Sequence, residues 1–160
     1  VWQQIVNESA PEPDRAVVLC HNDMNPTNIM YDGARLLLFD WQTTALNDPY
    51  YDLGTLAMFL RMDEAAMRQL LSAYDNAAVT VVPPRLKYFR RVSAVLSGSA
   101  FLNGARLRGY RLSEDELVID DTPTLGDIYA ELRTGRLNLG LPEAQWRFGL
   151  ALLRESTQSC

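Results

Sequence analysis

Val18-Leu19-Cys20-His21-Asn22-Asp23-Met24-Asn25-Pro26-Thr27-Asn28-Ile29-Met30 continues, after a short interval, into Leu36-Leu37-Leu38-Phe39-Asp40-Trp41. Two apolar runs, Asn28 to Tyr31 and Arg35 to Phe39, read as short strands, and Asp32-Gly33 between them is a strong hairpin-turn signal. A tight hairpin brings its two ends together, so Asn28 is expected beside Asp40.

Taken singly, these polar residues read as ordinary turn formers. Asp, Asn and Pro are the usual occupants of a turn, and Asp40 alone would be a solvated strand end. The combination is harder to obtain from turn chemistry: His-x-Asp, an Asn five positions after the Asp, and a second Asp closing the next apolar strand. It suits transfer of a nucleotide's terminal phosphoryl group, which needs a positioned hydroxyl acceptor and metal ions that neutralise charge between phosphates. Asp23 suits the base that orients the hydroxyl. Asn28 and Asp40 suit ligands for Mg2+, which favours hard oxygen donors and keeps several waters.

His21-Asn22-Asp23-Met24-Asn25-Pro26-Thr27-Asn28 resembles the catalytic loop of the aminoglycoside phosphotransferase and choline kinase family, distant relatives of protein kinases. Phe39-Asp40-Trp41 resembles its second metal motif, and Asn47-Asp48-Pro49-Tyr50-Tyr51-Asp52-Leu53-Gly54 is similar to the segment that follows. The resemblance implies ATP as co-substrate, Mg2+ as cofactor, and Asn22 and His21 as supports of the loop, with the histidine transferring no proton. It also implies that Asn25, Trp41 and Gln42 lie toward the acceptor. Asp52 has two readings: a brace on the catalytic loop through backbone hydrogen bonds, as the resemblance implies, or a simple cap of the helix that begins near Pro49.

At 160 residues with 48% hydrophobic content, the chain is long enough for one ordinary core. Its net charge of -5 and lack of a long basic run argue against a nucleic-acid partner and, weakly, for a cationic small molecule. No window is long and apolar enough to span a bilayer, and the first residues lack the pattern of a signal peptide, so no membrane partner and a cytoplasmic location are expected. The two cysteines form no framework or metal cluster: Cys20 reads as a buried thiol and Cys160 as a tail residue. His21 is the single histidine, which leaves a histidine-based metal site or a Ser/His/Asp triad little to stand on.

Residues 1 to 9 read as the last turns of a helix and Ala16 to Cys20 as a strand that joins the hairpin in one small sheet. From Pro49 the apolar period changes from two to about 3.6, the helical value. Helices are predicted over Pro49 to Arg61, from a cap near Asp63 to Tyr74, over Pro84 to about Arg106, and near Thr124 to Thr134 and Pro142 to Arg154. Arg106, Arg108 and Arg111 precede the acidic stretch Glu114-Asp115-Glu116 and read as a mutually paired, solvated surface rather than an anion site.

The fold class expected is α+β, mainly α: by resemblance, the C-terminal helical lobe of a protein-kinase-like fold, with a small hairpin carrying the catalytic and metal motifs. Relatives have an N-terminal lobe with a Gly-rich loop and a lysine for the nucleotide. Here the nine glycines are scattered and the one lysine, Lys87, lies in a helical pattern. Residues 1–160 are therefore expected to be a single catalytic lobe without its nucleotide-binding partner. Alone it should bind nucleotide poorly, turn over little substrate, and self-associate through the apolar surface left uncovered. His-Asn-Asp and Asn-Asp-Pro look closer to the choline and ethanolamine kinase branch. Against that, Gln42 stands where choline kinases carry a glutamate, and Trp146 is the only late tryptophan. An aminoglycoside or sugar acceptor, or a non-catalytic pseudokinase-like binding module, are the alternatives.

Overall fold

The computed structural model describes residues 10–111 and 122–157. The helix expected over residues 1–9, the stretch Glu114-Asp115-Glu116 and Cys160 lie outside them. The described residues fall into two compact units divided between Ser93 and Ala94.

The first unit opens with four three-residue strands: β1 (Val18–Cys20), β2 (Ile29–Tyr31), β3 (Leu36–Leu38) and β4 (Ala45–Asn47). They form two separate antiparallel ladders rather than one sheet. β2 and β3 pair as the hairpin, with Ile29 opposite Leu38 and Tyr31 opposite Leu36. Asp32 builds its turn by accepting the Ala34 and Arg35 N–H groups at 2.9 and 2.8 Å, while Gly33 takes a φ of +97°, a left-handed geometry that glycine adopts at little cost. β1 does not join the hairpin. Left-handed Asn22 and the 3-10 turn Pro26–Asn28 redirect the chain after it, and left-handed Asp40 with a second 3-10 turn, Trp41–Thr43, returns the chain so that β4 becomes its partner.

Helix α1 (Pro49–Phe59) starts where Asp48 accepts the Tyr50 N–H at 2.8 Å and Pro49 supplies a helical φ. Helix α2 (Glu64–Asp75) is capped by Asp63 through the Ala66 N–H. Helix α3 (Pro84–Leu107) begins in the first unit and carries the chain into the second. Tyr50, Leu53, Ala57, Met67, Leu71, Val82 and Leu86 form the buried core of the first unit.

Gly54 lets α1 approach α3: a Cβ there would lie 2.7 Å from the Arg90 backbone nitrogen. Backbone cannot yield as a flexible side chain can, so Gly54→Ala should force the helices apart and cost about 2–3 kcal/mol. A urea midpoint unchanged by this substitution would show that the packing is looser than described.

Arg15 ties the chain ahead of β1 to the end of α2. Its guanidinium grips both carboxylate oxygens of Asp75, donates to the Tyr50 hydroxyl at 2.6 Å, and lies over the Tyr50 ring at 4.9 Å. These bonds hold the Asp75 carboxyl below the usual carboxylate range. A carboxyl depressed in the folded state stabilises it above the ordinary value of about 3.9 and loses that contribution as pH falls further. Asp75→Asn is therefore expected to lower stability at pH 7 and to flatten its decline below about pH 4, read from denaturation midpoints at both pH values.

In the second unit, α4 (Leu125–Arg133) opens with a capping box in which Thr124 and Asp127 exchange side-chain-to-backbone bonds. Helix α5 (Pro142–Glu155) crosses the later part of α3 so closely that a Cβ on Gly98 would meet the Gly149 carbonyl at 2.9 Å. Gly98 and Gly149 together permit this approach. Phe101 meets Phe148 edge to face at 4.7 Å, and Ala105, Trp146 and Leu150 form a small buried cluster.

Candidate functional site

The loop between β1 and the first 3-10 turn is held from below by α1. Asp52 takes the His21 N–H on one carboxylate oxygen at 2.7 Å and the Asn22 N–H on the other at 2.8 Å. The helix cap is supplied by Asp48, whose other oxygen accepts from Arg85 Nε at 2.5 Å. Of the two readings for Asp52, the geometry is that of the loop brace.

His21 is 3% exposed and spans the site. Its Nε2–H donates to the Phe39 carbonyl at 2.7 Å, and Nδ1 accepts the Asp23 N–H at 3.3 Å. One neutral tautomer satisfies both contacts, which leaves neither nitrogen for proton transfer. The ring leans on Trp41, centroids 4.7 Å apart.

Asn22 has a φ of +63°, which Gly and Asn tolerate best. Its amide donates to the Thr43 carbonyl at 3.0 Å and accepts from Asn47 Nδ2 at 2.8 Å, while Thr43 Oγ1 donates to the His21 carbonyl at 2.8 Å. Thr43 was not foreseen as a site residue. Asn47 had been read as part of a motif, with no role, because a bond between side chains so far apart in sequence leaves no local signature.

Asp23, partly buried, receives two amide donors: Asn25 Nδ2 on Oδ1 and Asn28 Nδ2 on Oδ2, both at 2.8 Å. Asn28 Nδ2 also meets the Asp23 carbonyl at 3.0 Å. With the amide nitrogen committed twice to Asp23, the Asn28 oxygen faces away from it. The Asn28 carbonyl accepts the Phe39 N–H at 2.9 Å, which places the backbone of Asn28 one residue from Asp40 across the hairpin. Asp40 is exposed, with a φ of +58°. Asn25 is occupied within the loop, its oxygen accepting from Thr27 N at 2.9 Å. Trp41 Nε1 donates to the Leu38 carbonyl at 3.1 Å, its ring half exposed, and Gln42 is exposed.

The model of the phosphotransferase enzyme family (APH) matches residues 1–96, more than half of the chain. The chain belongs to this family. It is 36% identical over 67 residues to Protein LicA of Haemophilus influenzae (strain ATCC 51907 / DSM 11121 / KW20 / Rd), a match covering 41% of this chain and 25% of that protein. It is 37% identical over 57 residues to a second Protein LicA of Haemophilus influenzae, covering 36% of this chain and 17% of that protein. The match thus spans a quarter or less of the length of these curated relatives. No solved structure matches the chain.

Phosphotransferases of this family use ATP and Mg2+ in general. Among the described residues no group of three or more His, Cys, Asp or Glu that could hold a metal ion gathers. The amide oxygen of the buried Asn28, turned away from Asp23, and the exposed carboxylate of Asp40 are hard oxygen donors of the kind Mg2+ accepts. Beside the loop lies a cavity of about 330 Å3, mostly apolar, lined by Leu19, His21, Leu38, Trp41 and Asp52 among others. Cys20 at its edge is buried, and burial and then the Asp52 and Asp48 carboxylates push its thiol up to about 11, which keeps it protonated and unreactive at neutral pH. No described helix is long and apolar enough to cross a membrane.

Proposed function

We propose that this chain carries the catalytic loop and metal motif of a cytoplasmic, ATP-dependent phosphotransferase acting on a hydroxyl of a small molecule, within the helical lobe of a protein-kinase-like fold. The observation that carries this reading is the carboxylate of Asp23 held on both oxygens by Asn25 and Asn28. An oriented carboxylate can accept the hydrogen of an acceptor hydroxyl and aim its oxygen for in-line attack. Asn28 and Asp40 would hold Mg2+, which when bound neutralises charge between the phosphates. Asp52 and Asn22 keep the loop in place, and His21 ties it to the strand that ends in Asp40. The apolar cavity beside His21 is of a size for the nucleotide's base.

For the acceptor we favour an amino alcohol such as choline. The two residues that point to that branch, Asn22 and Asn47, bond each other. Glycine would meet the backbone demand at position 22 equally well but could not make that bond. An aminoglycoside or a sugar is the second reading; Gln42, neutral where a carboxylate would help hold a cation, favours the uncharged sugar of the two. The longest natural polypeptide carrying this sequence, incubated with MgATP, should phosphorylate choline or ethanolamine in preference to kanamycin and glucose. Phosphorylation of none of the amino alcohols would remove the choline reading, and phosphorylation of no hydroxyl acceptor would remove the kinase reading.

A further inference from the structure

The second unit has a cavity of about 710 Å3 at the end of α3, lined by Leu102, Asn103, Arg106, Tyr110, Arg111 and Trp146. Its chemistry differs from that of the loop site. One wall is a stacked aromatic pair, Tyr110 on Trp146, with centroids 5.3 Å apart and planes within 26°. Two exposed arginines, Arg106 and Arg111, line it, and among the described residues no carboxylate does. Among the described residues neither arginine makes an ion pair, and the acidic stretch Glu114-Asp115-Glu116 read as their partner lies outside those residues. Trp146 is 8% exposed, and its indole N–H is buried without an acceptor. A buried indole N–H ordinarily finds one.

We propose that this cavity binds a small organic anion carrying a flat ring, an aromatic carboxylate or phosphate ester. The acid group would lie between the two guanidiniums, whose planar forks suit such oxygens. The ring would extend along the aromatic wall, where stacking adds to the apolar contact of Leu102. The volume lies within the range of small-ligand sites. Two positive charges make it the wrong environment for a quaternary ammonium, so the inference stands apart from the acceptor proposed above and does not depend on it.

The test is a titration with phenyl phosphate, inorganic phosphate and choline in magnesium-free buffer, following the Trp146 indole N–H resonance, assigned with Trp146→Phe. Phenyl phosphate should shift it saturably, bind more tightly than inorganic phosphate, and weaken as salt rises. The exposed double substitution Arg106→Gln with Arg111→Gln should weaken binding by about tenfold or more. Asp23→Asn should leave this binding unchanged. Equal affinity in the double variant, equal affinity for the two phosphates, or saturation by choline would each overturn the proposal. So would no saturation by phenyl phosphate at about 10 mM, a concentration that corresponds to negligible affinity.

Discussion

Replacing Asp23 by Asn should lower kcat for phosphoryl transfer by about a thousandfold while leaving KM for ATP within a few-fold. On the proposed reading this carboxylate takes the acceptor's hydrogen, and an amide cannot. The substitution also has a local cost: Asn25 and Asn28 each offer an N–H to this side chain, and an Asn at position 23 would turn its own NH2 against one of them. Asp23→Ala separates the two effects, since it removes both the base and the opposed donor. Similar losses of kcat in both variants, with urea midpoints close to the parent's, would assign the loss to the missing carboxylate. Activity within tenfold of the parent in Asp23→Ala would end the assignment of Asp23 as base. The assay belongs in the longest natural polypeptide carrying this sequence, because catalysis of this kind is largely positioning by groups on both sides of the phosphates.

The helices were legible because their boundaries carry chemistry. Asp63 and Thr124 cap helices beginning one residue later, and Pro49, Pro84 and Pro142 each open one. The sheet was less so. A three-residue strand such as β1 holds too little pattern to choose a partner, and the choice was made by the left-handed backbone at Asn22 and Asp40. The boundary between the two compact units likewise leaves no sequence signal, since it falls inside the uninterrupted helix α3, where no Pro or change of composition marks it. Within the site, residue types could be named in advance but not their bonds. Nothing local in sequence says that Asn22 meets Thr43 and Asn47, or that Asn25, expected toward the acceptor, spends its amide on Asp23 and its oxygen on Thr27.

Asp52→Asn tests the other end of the same machinery, and it should be among the most damaging conservative changes in the chain. Each Asp52 oxygen accepts one backbone N–H, from His21 and from Asn22, at 2.7 and 2.8 Å. An Asn keeps one acceptor and sets an NH2 against the other N–H, so one charge-assisted bond becomes neutral and its neighbour becomes a clash of donors. Bonds to a charged acceptor contribute about 1.5–3 kcal/mol each, and an unpaired buried donor costs about 1–3 more, so a loss of roughly 3–5 kcal/mol is expected. The consequence should not stop at stability. His21 and Asn22 carry the backbone into Asp23, and His21 also links it to the Phe39 carbonyl just before Asp40. Loosening the brace should therefore misplace the base and the metal motif together. Hydrogen exchange at the His21 and Asn22 amides should accelerate, and kcat should fall by about a hundredfold even at temperatures where the variant remains folded. A matched control is Asp48→Asn, which disturbs the start of α1 and the Arg85 ion pair but leaves both amides their acceptor. If Asp48→Asn speeds exchange at His21 and Asn22 as much as Asp52→Asn does, the loop is steadied by α1 as a whole and not by the Asp52 carboxylate.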